Sequence, residues 1–122
     1  MPYAYRKSER IRKNSEFTAT MKGKRLSRDG LSLFYRSNAA GSFRVGISVG
    51  KKLGNAVKRN LLRRRLRDCI GRVLEDRSAG YDLVFVARQE LAGCEFGRVL
   101  QAVIRVLERS GVLGKRPEDG AK

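Results

Sequence analysis

The chain has 122 residues, enough for one domain whose core needs no disulfide or metal staple. Lys and Arg number 28 against 12 Asp and Glu, a formal charge of +16, which is far more than solubility requires. There is no histidine, so Ser-His-Asp and Cys-His catalysis and His-ligated metal sites are excluded.

That charge calls for an anionic partner, and nucleic acid is the leading candidate. A membrane surface would ask for a basic amphipathic helix with a Trp- or Phe-rich face, which is missing. No apolar run is long enough to span a bilayer, and the N-terminus carries charge where a signal peptide would be apolar. Cys69 and Cys94 have no metal-type spacing and read as small core thiols of a reducing, cytoplasmic protein. One domain is expected over residues 1–122, with its core at about 8–110, a basic arm at 1–7 and a disordered tail at 114–122.

From about Ser8 the apolar residues Ile11, Phe17 and Met21 fall at helical spacing among Arg10, Arg12, Lys13 and Lys22. Ser15 is placed to cap a turn, and Gly23 ends the helix. Residues 24–30 read as a basic loop. Next, Leu31, Leu33 and Tyr35 alternate with Ser32, Phe34 and Arg36, the pattern of a half-buried strand. A second strand at 43–49 turns Phe43, Val45, Ile47 and Val49 inward and Arg44, Gly46 and Ser48 to the other face. A helix follows at about 55–76, capped by Asn55, with an apolar seam of Leu62, Leu66, Cys69, Ile70 and Val73. Tyr81 to Ala87 is nearly continuous apolar sequence, the mark of a strand covered on both faces. The β-helix-β order makes the strands on either side of the basic helix parallel. A short turn at 88–95 leads to a last helix at about 96–110, stopped by Gly111, which buries Phe96, Val99, Leu100, Val103 and Leu107.

The densest feature is Lys51 to Arg67. Arg59, Arg63 and Arg67 stack at four-residue spacing, and Lys51, Lys52, Lys58, Arg64 and Arg65 extend the charge around the helix. A helix face laced with ion pairs would need acids among these bases, and there are none. Each like-charge pair costs a few tenths, roughly 0.2–0.5 kcal/mol, with no return until phosphates neutralise it. Gly50 and Gly54 fit either close backbone approach to phosphate or a plain strand-to-helix turn. Phe34 shares its face with Ser32 and Arg36, and aromatics beside cations suit unpaired RNA bases. For Phe17, core packing is the other reading. The 12 carboxylates are scattered, and neither Glu75-Asp76 nor Glu118-Asp119 resembles a two-metal phosphoryl-transfer site. No catalytic and no metal-binding residue is expected in this chain.

The run Phe43-Arg44-Val45-Gly46-Ile47-Ser48-Val49-Gly50-Lys51-Lys52-Leu53-Gly54-Asn55-Ala56-Val57-Lys58-Arg59-Asn60, continuing to Leu66-Arg67, resembles the signature region of the bacterial ribonuclease P protein subunit. That family carries R-x-G-x-S/T-V on a strand, a lysine pair, and a helix with A-x-x-R-N followed by further bases. Arg10-Ile11-Arg12 ahead of Phe17 also fits. Two positions depart from the pattern: Leu61 replaces the last residue of the usual Arg-Asn-Arg, and Met21 stands where an aromatic is common.

The resemblance implies an α+β, ribosomal-protein-like α-β sandwich, a four-stranded sheet flanked by helices with a left-handed β-α-β crossover. It implies a non-catalytic subunit whose separate catalytic RNA, with Mg²⁺ held mainly by that RNA, removes the 5′ leader of precursor tRNA. It assigns Lys51, Lys52, Arg59, Asn60, Arg63, Arg64 and Arg67 to the catalytic RNA. Phe17, Met21, Phe34 and Ser48 fall in the cleft for the single-stranded leader. The partners expected are that RNA and precursor tRNA, with no membrane and no DNA. A ribosomal or general RNA-chaperone protein would explain the charge equally well, but gives no reason for a leader-binding cleft.

Overall fold

The computed structural model describes Ile11, residues 14–75 and residues 79–113. In chain order the elements are α1 (Asn14–Met21), β1 (Lys24–Arg28), β2 (Leu31–Ser37), β3 (Arg44–Ser48), α2 (Ala56–Leu74), β4 (Tyr81–Ala87) and α3 (Phe96–Ser110), with single 3₁₀ turns at Lys51–Leu53 and Gln89–Leu91. The strands form one four-stranded sheet in the order β1-β2-β4-β3. The β1–β2 and β2–β4 pairs are antiparallel, and β3 lies parallel to β4 with α2 as the crossover, as the β-helix-β order requires.

Alternation decides the two faces. Leu31, Leu33, Tyr35, Val45, Ile47, Leu83, Phe85 and Ala87 share one face, and α2 and α3 cover it with Leu62, Leu66, Cys69, Ile70, Val99, Val103 and Leu107 in a single apolar cluster. Leu66 is fully buried there, so truncating it to Ala is expected to cost about 3 kcal/mol. The Asn55 side chain accepts from the Lys58 amide at 2.9 Å and opens α2, and Gly111, in the left-handed region, closes α3.

Three sequence expectations change. Residues 24–30 are not a loop: Lys24–Arg28 is an edge strand with only Leu26 half-buried, too little burial to leave an alternating pattern. Its signal was the turn, because Asp29 (φ 55°) and Gly30 (φ 85°) are the left-handed pair of a two-residue hairpin. The first helix starts at Asn14, and Ile11 instead donates its amide to the Val45 carbonyl at 2.9 Å, along the free edge of β3. Cys69 is a core thiol, which burial pushes up to about 12, but Cys94 is only half-buried, its Sγ donating to the Glu90 carbonyl at 3.3 Å. The arm at 1–7, Arg10, Arg12, Lys13 and the tail at 114–122 lie outside the described residues.

Candidate nucleic-acid interface

The second face of the sheet is built in three cross-strand rows: Arg36–Asp82–Arg44, Phe34–Val84–Gly46 and Ser32–Val86–Ser48. β1 adds Arg25 opposite Phe34 and Ser27 opposite Ser32. Each row does something different.

The first row is a charge clamp. Asp82 is fully buried and receives Arg36 Nε and Nη2 on Oδ2, both at 3.2 Å. Arg44 Nε reaches Oδ1 at 2.9 Å, its Nη2 reaches Oδ2 at 3.0 Å, and Asn38 Nδ2 donates to Oδ1 at 2.7 Å. Burial alone would raise the Asp82 carboxyl, but hydrogen bonds from Arg44, Asn38 and Arg36 outweigh it and hold the group below the usual carboxylate range. Arg44 continues to Glu16 Oε2 of α1 at 3.2 Å, so the clamp also ties α1 to the sheet. The second row seats that helix: a Cβ at Gly46 would stand 2.8 Å from Phe17 Cε2, so only glycine lets the ring lie this close. The third row carries small side chains. Ser32 Oγ pairs with Ser27 Oγ at 2.7 Å and accepts from Arg88 Nε at 2.9 Å.

Phe17, Phe34 and Ser48 thus meet on this face, all half-buried, Phe17 over the second row and Ser48 in the next. Met21 ends α1 with 38% of its surface exposed. Tyr35 points to the core face instead. Two cations come from places that sequence pattern did not mark: the Arg25 guanidinium stands 5.8 Å from the Phe34 ring centre, and Arg88 reaches Ser32. Asp82 was legible in principle, since a lone acid inside an apolar run demands a cationic partner.

The basic segment begins where β3 ends. Lys51 and Lys52 are exposed on the 3₁₀ turn between Gly50 and Gly54. Gly54 has φ 132° and needs to be glycine, whereas Gly50 at φ −75° does not. Along α2, Arg59 is half-buried with Nε on the Gly54 carbonyl at 3.1 Å. Arg63 donates to Asn60 Oδ1 at 2.6 Å, Arg64 is exposed, and Arg67 is half-buried. Arg65 turns inward and donates to the Cys94 carbonyl at 2.7 Å, tying α2 to the loop at 92–94. The ion pair Arg72–Asp68 at 3.1 Å comes only after the basic run.

A small α+β fold with a cationic helix and an aromatic-lined sheet face fits a nucleic-acid-binding protein. Likeness to known proteins narrows that class. The sequence model of the family described as Ribonuclease P matches residues 5–111. The ribonuclease P protein component of Brevibacillus brevis is 32% identical over 118 residues, 95% of this chain and 94% of that one. The structure of the Staphylococcus aureus RNase P protein superposes with a TM-score of 0.80 at 31% identity, over 88% of this chain and 100% of that one. That of the Thermotoga maritima RNase P protein gives 0.74 at 30% identity, over 83% and 96%. The chain belongs to the Ribonuclease P family, the protein components of a ribonucleoprotein endonuclease whose other component is RNA. Family membership, which charge alone did not decide, sets the ribosomal and chaperone readings aside.

Proposed function

We propose that the two surfaces divide the work of removing the 5′ leader from precursor tRNA. Lys51, Lys52, Arg59, Asn60, Arg63, Arg64 and Arg67 hold the catalytic RNA and neutralise its phosphates. Phe17, Met21, Phe34 and Ser48 hold the single-stranded leader, its bases stacking on the aromatics and its backbone lying along the serine row. The observation that carries this reading is Phe34, an aromatic on the second sheet face, half-buried under the Arg25 guanidinium and beside the row of small side chains.

Mg²⁺ is assigned to the RNA. Among the described residues no three His, Cys, Asp or Glu side chains come together as a metal site. The buried carboxylate Asp82 already receives two arginines and an asparagine, so its oxygens serve the clamp. Its contribution is charge and substrate placement, which lowers the Mg²⁺ the RNA requires. The expected location is the cytoplasm.

The test mixes the protein with its catalytic RNA at low Mg²⁺ and follows precursor cleavage. Faster cleavage than with RNA alone is expected, and an equal rate refutes the proposal. The holoenzyme should also bind precursor tRNA more tightly than mature tRNA. Equal affinity would remove the leader from the cleft.

A further inference from the structure

Among the described residues three large apolar side chains are exposed. Met21 belongs to α1 and the cleft. The other two, Val57 at 76% and Leu61 at 43%, lie one turn apart on the most cationic helix of the protein. Leu61 lines a groove of about 490 Å³ between the start of α2 and the loop at 92–94. Leu53 and Leu62 complete its apolar floor, and Lys52, Lys58 and Arg65 stand around it with no acid.

The groove is held open by its own bonds. Arg65 is fixed to the Cys94 carbonyl at 2.7 Å, which keeps the loop at a set distance from α2. The Lys58 stem lies across Gly54, its Cβ and Cδ 3.1 Å from where a Cβ would be. On the facing loop a Cβ at Gly93 would meet nothing within 4 Å. A wall of aliphatic carbon ringed by cations is complementary to a flat apolar ring that carries an anion. In a protein whose partner is RNA, that ring is a nucleobase and the anion its own phosphate. A base inside a duplex hides both faces, so only an unpaired one can enter.

We infer that the groove between α2 and residues 92–94 receives one unpaired nucleotide of the catalytic RNA, its base on Leu53, Leu61 and Leu62 and its phosphate among Lys52 and Lys58. The inference rests on the proposed division of surfaces and adds an apolar anchor to an otherwise electrostatic contact. It also gives Leu61, the departure from the family's usual arginine, a contact of its own.

The two kinds of contact separate on salt. Removing a phosphate contact lowers the slope of log affinity against log salt, whereas removing an apolar one lowers affinity equally at every salt concentration. Leu61→Gln takes one of the three leucines from the floor, and Ala92→Trp fills the groove from the exposed loop; neither removes a cation. Each full-length variant is titrated with the catalytic RNA over a salt series, with thermal melting as a check of the fold. Both are expected to bind about tenfold more weakly; Leu61→Gln keeps the wild-type slope because its cations still meet the phosphate, whereas Ala92→Trp shuts out the whole nucleotide and lowers the slope as well. Affinity equal to wild type or tighter in either variant overturns the inference, as does a reduced slope in Leu61→Gln. A loss seen only with precursor tRNA also overturns it, by making the occupant a substrate nucleotide. If the wild-type protein fails to bind the catalytic RNA, it is the proposed function itself that falls.

Discussion

Arginine serves opposite ends on the sheet face and on α2. On the sheet, Arg36 and Arg44 converge on the buried Asp82, and Arg44 also reaches Glu16 of α1; their charge is met inside the protein. On α2 the run from Lys51 to Arg67 contains no acid, so its positive field is left for a partner. Side-chain type alone does not tell the two apart. What differs is whether the fold supplies a carboxylate within reach, and that decides whether a cation is structural or available.

The contrast breaks most sharply at Asp82. Asp82→Ala leaves two arginines facing a buried void, and unfolding measurements are expected to show a loss of about 3 kcal/mol, the low end for a broken buried pair because both arginines are partly exposed. The Asp82 carboxyl sits below its ordinary range, so its stabilisation is present at neutral pH and is lost as pH falls through the folded-state value. Asp82→Asn should flatten that acid limb of the stability curve. An acid limb identical to wild type would mean that another carboxylate dominates it.

Next in size is Phe34→Ala, expected to weaken leader-dependent precursor binding by roughly 1–3 kcal/mol if a base stacks there. Wild-type leader affinity combined with a lowered melting temperature would return the ring to a packing role. Asn55→Ala removes the cap on the Lys58 amide and should cost about 1 kcal/mol in stability while leaving every cation in place. Finally, the Arg63 and Arg64 substitutions should leave stability nearly unchanged and flatten the salt dependence of RNA affinity, by up to about 0.7–0.9 in slope for each phosphate that is no longer neutralised. An unchanged slope would place both arginines outside the interface and erase the contrast with the sheet face.

Most of the scaffold was legible because its signals are local. Alternation at 31–36, the apolar run at 81–87, the Asn55 cap and the Gly111 stop each act within a few residues and survive in the folded chain. β1 escaped for the converse reason: an edge strand with one half-buried residue leaves almost no pattern, and only the Asp29-Gly30 turn betrayed it. Phe17, Phe34 and Ser48 were assigned to a cleft from likeness to a family, and the strand register brings Phe34 and Ser48 onto one face with Phe17 above it. Arg25 and Arg88 were missed because their positions depend on how strands pair, which a single strand does not encode.

By itself, then, the sequence determined most of the elements, β1 apart, the core face and the unneutralised charge of Lys51 to Arg67, since periodicity and the absence of acids are properties of neighbouring residues. Only the tertiary structure decided which arginines are spent. Asp82 stands 46 residues from Arg36 and 38 from Arg44, and it is the register of β2, β4 and β3 that brings the three together. The groove beside Leu61 arises the same way, from a hydrogen bond joining Arg65 to a carbonyl 29 residues further along the chain.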